Sequence, residues 1–131
     1  MTTWKSGMLV TAARLADDTP TTTTSGLTAS TGFTVSTFSG YRAGNVVIVD
    51  MFMNRSGADI TASSGNITDT ACCTLPSGWR PTSQTINGSW DNGSVSGGFV
   101  CGTDGICTLR SAGGNIVSGT NLRMHLEFIV D

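Results

Sequence analysis

Thr74-Leu-Pro-Ser-Gly-Trp-Arg-Pro-Thr82 is the densest backbone punctuation in the chain. Pro76 and Pro81 fix φ and lack an N–H, so this stretch cannot run through the middle of a sheet. The residues before them, Leu75 and Arg80, are pushed to extended geometry. A rigid elbow results, with Trp79 thrown to one side and Arg80 to the other. Strand-like sequence lies on both sides, so the domain is expected to fold around it.

Working outward, Asn45-Val-Val-Ile-Val-Asp-Met-Phe-Met-Asn54 reads as the strongest strand. It is apolar on both faces and is placed centrally. Before it, Gly32 to Phe38 reads as a half-buried Thr-rich strand and Ser39 to Gly44 as a turn. After it come a turn at Arg55 to Asp59 and a weaker strand region from Ile60 to Thr74, broken at Ser64 to Asn66. Beyond the elbow, Thr85 to Trp90 is a short strand ended by Asp91-Asn-Gly93. Ser94 to Cys101 and Ile106 to Ser111 form a hairpin around Asp104-Gly105. In the last strand Leu122, Met124, Leu126, Phe128 and Val130 alternate with Arg123, His125, Glu127 and Ile129, giving one core face and one face that is wet or at an interface. Strands recur every 8–12 residues or so with turns between, the pattern of an antiparallel sandwich or barrel. Trp4 to Leu15 is the one helical candidate, with Thr11 as a cap. Asp17 to Ser25 reads as an extended, mobile Thr/Pro-rich connector. The expected division is an N-terminal attachment segment and connector over 1–25 and a β-sandwich over 26–131.

Composition agrees. Charged residues are 12% of the chain, glycines number 17, and the net charge is −2. Phosphate-backbone binding needs clustered Lys and Arg, so no nucleic-acid partner is expected. The longest apolar run, Val46 to Val49, is too short for a membrane span, and there is no apolar signal-peptide core. The expected product is made in the cytoplasm without membrane insertion.

Adjacent Cys72 and Cys73 would point to opposite faces of a strand. The Asp104-Gly105 loop pairs Cys101 with Cys107, so either a cross-strand disulfide or two small buried thiols is open. With His125 the only histidine, no zinc site, other metal or cofactor is expected. No catalytic residues are expected either. His125 lies mid-strand, and no two acids are marked as a glycosidase pair. Asp50, an acid inside an apolar strand, reads as a structural acid bonded to Arg80 or Arg42.

The loop Ile86-Asn-Gly-Ser-Trp-Asp-Asn-Gly93 offers what a saccharide site needs, an aromatic face and planar polar groups. Asn87, Trp90, Asp91 and Asn92 are the candidates, with Tyr41 as a second. The alternative is a hairpin whose Trp90 packs on the sheet. Trp4, Met8, Leu9 and Leu15 need burial, either on another subunit, on a larger assembly, or on their own domain.

Thr74-Leu-Pro-Ser-Gly-Trp-Arg-Pro, then Thr103-Asp-Gly-Ile-Cys-Thr-Leu109, then a closing strand after Ser118-Gly-Thr120, resembles the distal domain of tailed-bacteriophage tail-fibre and baseplate proteins. The opening Trp4-Lys-Ser-Gly-Met-Leu-Val-Thr-Ala-Ala-Arg-Leu15 is also similar to a segment common near the start of such virion proteins. The resemblance implies an all-β, jelly-roll-like antiparallel β-sandwich with a short N-terminal extension. It also implies a homotrimer on the particle surface, joined to other virion proteins through the N-terminal segment and attaching to a host-surface saccharide. A capsid decoration or head-fibre protein with no receptor is the other expectation.

Overall fold

The computed structural model describes Ser6, Gly7, Leu9, Ala12 and residues 19–130. The helical expectation over Trp4 to Leu15 therefore lies almost wholly outside the described residues. The described elements are nine strands: β1 Thr21–Thr23, β2 Thr28–Ala29, β3 Phe33–Ala43, β4 Val46–Arg55, β5 Asn66–Thr74, β6 Ile86–Asp91, β7 Ser96–Cys101, β8 Ile106–Ser111 and β9 Asn121–Ile129. They form one antiparallel sheet in the order β1-β3-β4-β9-β6-β7-β8-β5-β2. Strands β6, β7 and β8 are joined in sequence, and β5 lies beside β8, so the β5–β6 connection crosses the intervening strands in Greek-key fashion. That connection is the elbow.

The sheet is curled into a sandwich-like body. Its two outermost strands, β1 and β2, are separated by only a few residues of chain, which brings the opposite edges together. Across the interior, the Cys72 Sγ of β5 lies 3.6 Å from Met124 Sδ of β9, and Cys73 Sγ lies 3.7 Å from Met51 Sδ of β4. The fold is thus all-β, as the strand pattern predicts, and jelly-roll-like, as the resemblance implies. Strand β4 sits between β3 and β9, in the central place expected of it.

The core is a single cluster that includes Val47, Val49, Met51 and Met53 of β4 and Leu122, Met124, Leu126 and Phe128 of β9. The period-2 pattern of β9 is obeyed throughout, with alternate residues buried and exposed.

Three local expectations are corrected. Ser39 to Gly44 is not a turn: β3 continues to Ala43, and Gly44 and Asn45 make the reversal. Gly40 reads as turn punctuation, yet it is needed mid-strand, because a Cβ there would lie 2.9 Å from both Trp79 Cε3 and Thr23 Cγ2. Trp79 of the elbow packs over this gap, half-buried against the core. Within the connector, Thr21–Thr23 is extended but paired with Gly40 to Arg42 of β3, so it is part of the sheet. Finally, Cys72 and Cys73 do not face opposite ways. A register shift between Ala71 and Cys73 bulges β5 and turns both thiols into the core, where each is fully buried.

The elbow itself is held by hydrogen bonds to backbone carbonyls. Leu75 N–H donates to Gly105 O at 2.9 Å, Arg80 Nε donates to Leu75 O at 2.7 Å, and Trp79 N–H donates to Pro76 O at 3.1 Å. Leu75 is fully buried, which anchors the start of the crossover.

Candidate functional site

The outer face of β3-β4-β9-β6 carries the chemistry. Alternation along each strand sends every second side chain outward, and the register aligns those side chains in rows. One row runs Ser39, Asp50, His125, Ser89 across the four strands. The next runs Thr37, Phe52, Arg123, Asp91. A third begins Tyr41, Ile48, Glu127.

In the first row His125 Nδ1 lies 2.7 Å from Asp50 Oδ1, and its Nε2 lies 3.9 Å from Glu127 Oε2. The imidazole is therefore set between two carboxylates, with Asp50 fixing the ring through a short bond. Asp50 is bonded to His125 and not to Arg80 or Arg42, because β4 directs it to the outer face while Arg42 of β3 is tied to Gly78 O and Arg80 to Leu75 O of the elbow. In the second row the Arg123 guanidinium carbon stands 5.1 Å from the Phe52 ring centroid, within cation–π range.

Between the rows lies a hollow of about 320 Å³ lined by Thr37, Ser39, Asp50, Phe52, Arg123 and His125. A second hollow of about 470 Å³ shares Phe52 and Arg123 and continues past Asp91, Asn92, Thr120 and Asn121. The two make one groove with an aromatic ring at its middle and donors and acceptors on both sides. That is the residue set that recognises hydroxyl-rich ligands.

The sequence-derived candidates divide. Asp91 and Asn92 reach the groove, although Asp91 Oδ1 accepts from Gly93 N–H at 2.6 Å and Asn92 Oδ1 accepts from Val95 N–H at 2.7 Å, so both also hold their turn. Tyr41 is exposed on the same face, beside Ile48. Asn87 lines a separate hollow with Asn66 and Arg110. Trp90 is not a surface platform: it is 1% exposed, and its Nε1–H donates to Ser111 O at 3.1 Å. A platform needs a free ring face, and both faces of Trp90 are in the core. Of the attachment candidates, Trp4, Met8 and Leu15 lie outside the described residues, and Leu9 is exposed.

Sequence reasoning missed Phe52 and Arg123 as site residues and missed the pairing of Asp50 with His125. Asp50 and His125 were each conspicuous alone. Their meeting depends on the register of β4 with β9, strands far apart in the chain.

The thiols form a buried group of their own. Cys107 is the register partner of both Cys101 and Cys73, and all four cysteines are free in this structure. Contact with Cys101 and Cys73, then burial, pushes the Cys107 thiol well above the ordinary range; contact with Cys73, then burial, does the same to Cys72. Cys73 accepts from Cys107 and Cys72 and is pulled down instead.

No family model matches this sequence, and no curated protein matches it. Solved structures do. The crystal structure of the head domain of phage bIL170, described in connection with the receptor-binding domains of lactococcal phages, is similar over 83% of this chain and 98% of that one, with a TM-score of 0.54 and 11% identity. The likeness is one of fold: this chain has the all-β architecture of that phage head domain.

Proposed function

We propose that this protein is a bacteriophage virion component of tail-fibre or tail-tip type that attaches the particle to a host-surface glycan. The groove across β3-β4-β9-β6 carries the reading. It sets Phe52 between the Asp50–His125 pair and the Asp91–Asn92 turn, with Arg123 over the ring. A sugar ring stacked on Phe52 displaces the guanidinium to its edge, where it donates to hydroxyls while Asp50 and Asp91 accept from them. The fold shared with a phage head domain supports the same role. The domain works as a homotrimer, with the residues before Thr21 joining it to other virion proteins.

Two measurements test this. Light scattering is expected to give the mass of three chains; a monomer at micromolar concentration would remove the trimer from the proposal. Labelled protein is expected to bind whole cells from a panel of bacteria. Phe52→Ala and Arg123→Ala should each weaken that binding at least tenfold while moving unfolding by less than about 1 kcal/mol, since both side chains are at the surface. Protein that ignores every cell but coats bare capsids would make it a decoration protein. Binding unchanged in both variants would move the site elsewhere.

A further inference from the structure

The elbow shapes another hollow, of about 470 Å³, away from the groove. Arg42, Ser77, Gly78, Arg80, Thr82 and Thr103 line it. Both arginines are anchored through backbone carbonyls. Arg80 Nε donates to Leu75 O at 2.7 Å, and Arg42 donates from Nη1 to Gly78 O at 3.3 Å and from Nε to Gly44 O at 3.5 Å. A guanidinium has more donors than these bonds use, and the remaining N–H groups of Arg80 are those of its two terminal nitrogens.

The other arginines among the described residues are accounted for. Arg110 pairs with Asp69 at 3.0 Å, and Arg123 covers Phe52. Arg55 donates to Ala58 O and Gly32 O and lies over Phe33. Among the described residues, Arg42 and Arg80 have no carboxylate within 4.0 Å. They are also half-buried and share one concavity. Two like charges held together in a partly desolvated hollow repel each other, and a guest oxyanion reverses that cost. A planar fork of donors fits a phosphate or carboxylate bidentately. Such a hollow is conspicuous in a chain whose net charge is −2.

We infer that the elbow hollow is an oxyanion-binding subsite, in which Arg42 and Arg80 hold a phosphate or carboxylate group with the Ser77 and Thr103 hydroxyls at the rim. Resting on the attachment reading, its natural occupant is an acidic substituent of the host polysaccharide, so the ligand is anionic as well as hydroxyl-rich.

The full-length protein is titrated with inorganic phosphate, and separately with acetate, at constant ionic strength set by chloride. The arginine Nε–H resonances are followed by NMR. Saturable shifts of Arg42 and Arg80 are expected, with Arg110 unmoved. Arg42→Gln should weaken phosphate roughly tenfold, the loss of one or two charge-assisted bonds. Saturation by phosphate but not acetate assigns the phosphate form, and the reverse assigns the carboxylate. Shifts that chloride reproduces, or that Arg110 shares, would overturn the subsite. Because inorganic phosphate is the probe, cells that fail to bind while phosphate saturates would reject the attachment reading and leave the subsite standing.

Discussion

At the scale of single residues, Trp90 shows how one side chain redirects a functional reading. In the sequence it sits in a loop of sugar-binding residue types. In the structure it is on β6, among the largest fully buried side chains, with its one polar atom satisfied by Ser111 O. Trp90→Ala is therefore expected to cost about 3–5 kcal/mol, the range for removing a large aromatic from a packed core, and to be read in urea unfolding. A loss below about 1 kcal/mol would put the indole back on the surface. Phe52 is the converse case. It looks like core in a run of apolar residues, yet β4 turns it outward beneath Arg123. Neither outcome is visible in residue type, because period 2 fixes which residues share a face but not which face is inward.

At the scale of elements, β5 shows what a single extra residue does. Without its bulge, Cys72 or Cys73 would face solvent; with it, both join Cys101 and Cys107 in the interior. Raised thiol values have a consequence for stability. In the unfolded chain, cysteines ionise near their ordinary value of 9.0, whereas folded Cys72 and Cys107 keep their protons well above it. The folded state then binds more protons than the unfolded one, so the stabilisation is full below pH 9 and is lost as pH rises beyond it, by up to about 1.4 kcal/mol per pH unit for each proton retained. Cys73, pulled down, works in the opposite sense: its stabilisation grows until the unfolded thiol has ionised near 9.0, so it offsets part of the loss that Cys72 and Cys107 produce above pH 8. Urea midpoints measured with reductant at pH 8 and pH 10.5 should therefore fall, and the fall should be shallower in Cys107→Ala. A midpoint that does not move would refute the retained protons.

The same strands bear on oxidation. Ile106 O accepts from Gly102 N–H, so Cys101 and Cys107 form the next, non-hydrogen-bonded pair, whose side chains approach more closely. A Cys101–Cys107 disulfide is therefore proposed for protein exposed to oxidant. Alkylation without reductant, followed by intact-mass analysis, should then label at most two thiols. Labelling of all four in the unfolded, unreduced protein would reject it.

At the scale of the whole molecule, fold class was legible because its signals are local. Turn residues recur at short intervals, β9 alternates cleanly, the Asp104-Gly105 hairpin has its expected register, and the elbow punctuates one crossover. The groove was not legible, because it is made by rows that join β3, β4, β9 and β6 across long stretches of chain. Asp50 could be seen as an oddity in an apolar strand, but nothing local says that its partner is His125. Gly40 failed for a related reason: its need comes from Trp79, brought over it by tertiary packing, and not from any turn.

The short pairing of β1 along β3 also has a mechanical meaning. Chain preceding Thr21 enters through three paired residues at the end of the order β1-β3-β4-β9, and the outer side chains of β4 and β9 form the groove. A pull between those preceding residues and a ligand held in the groove runs sideways across neighbouring strands, largely bypassing the elbow and the β5–β8 half. The three-residue seam is the weakest link on that path. In the proposed attachment role this seam would peel first under load, leaving the two-residue pairing of β2 with β5 as the next hold on the entering chain.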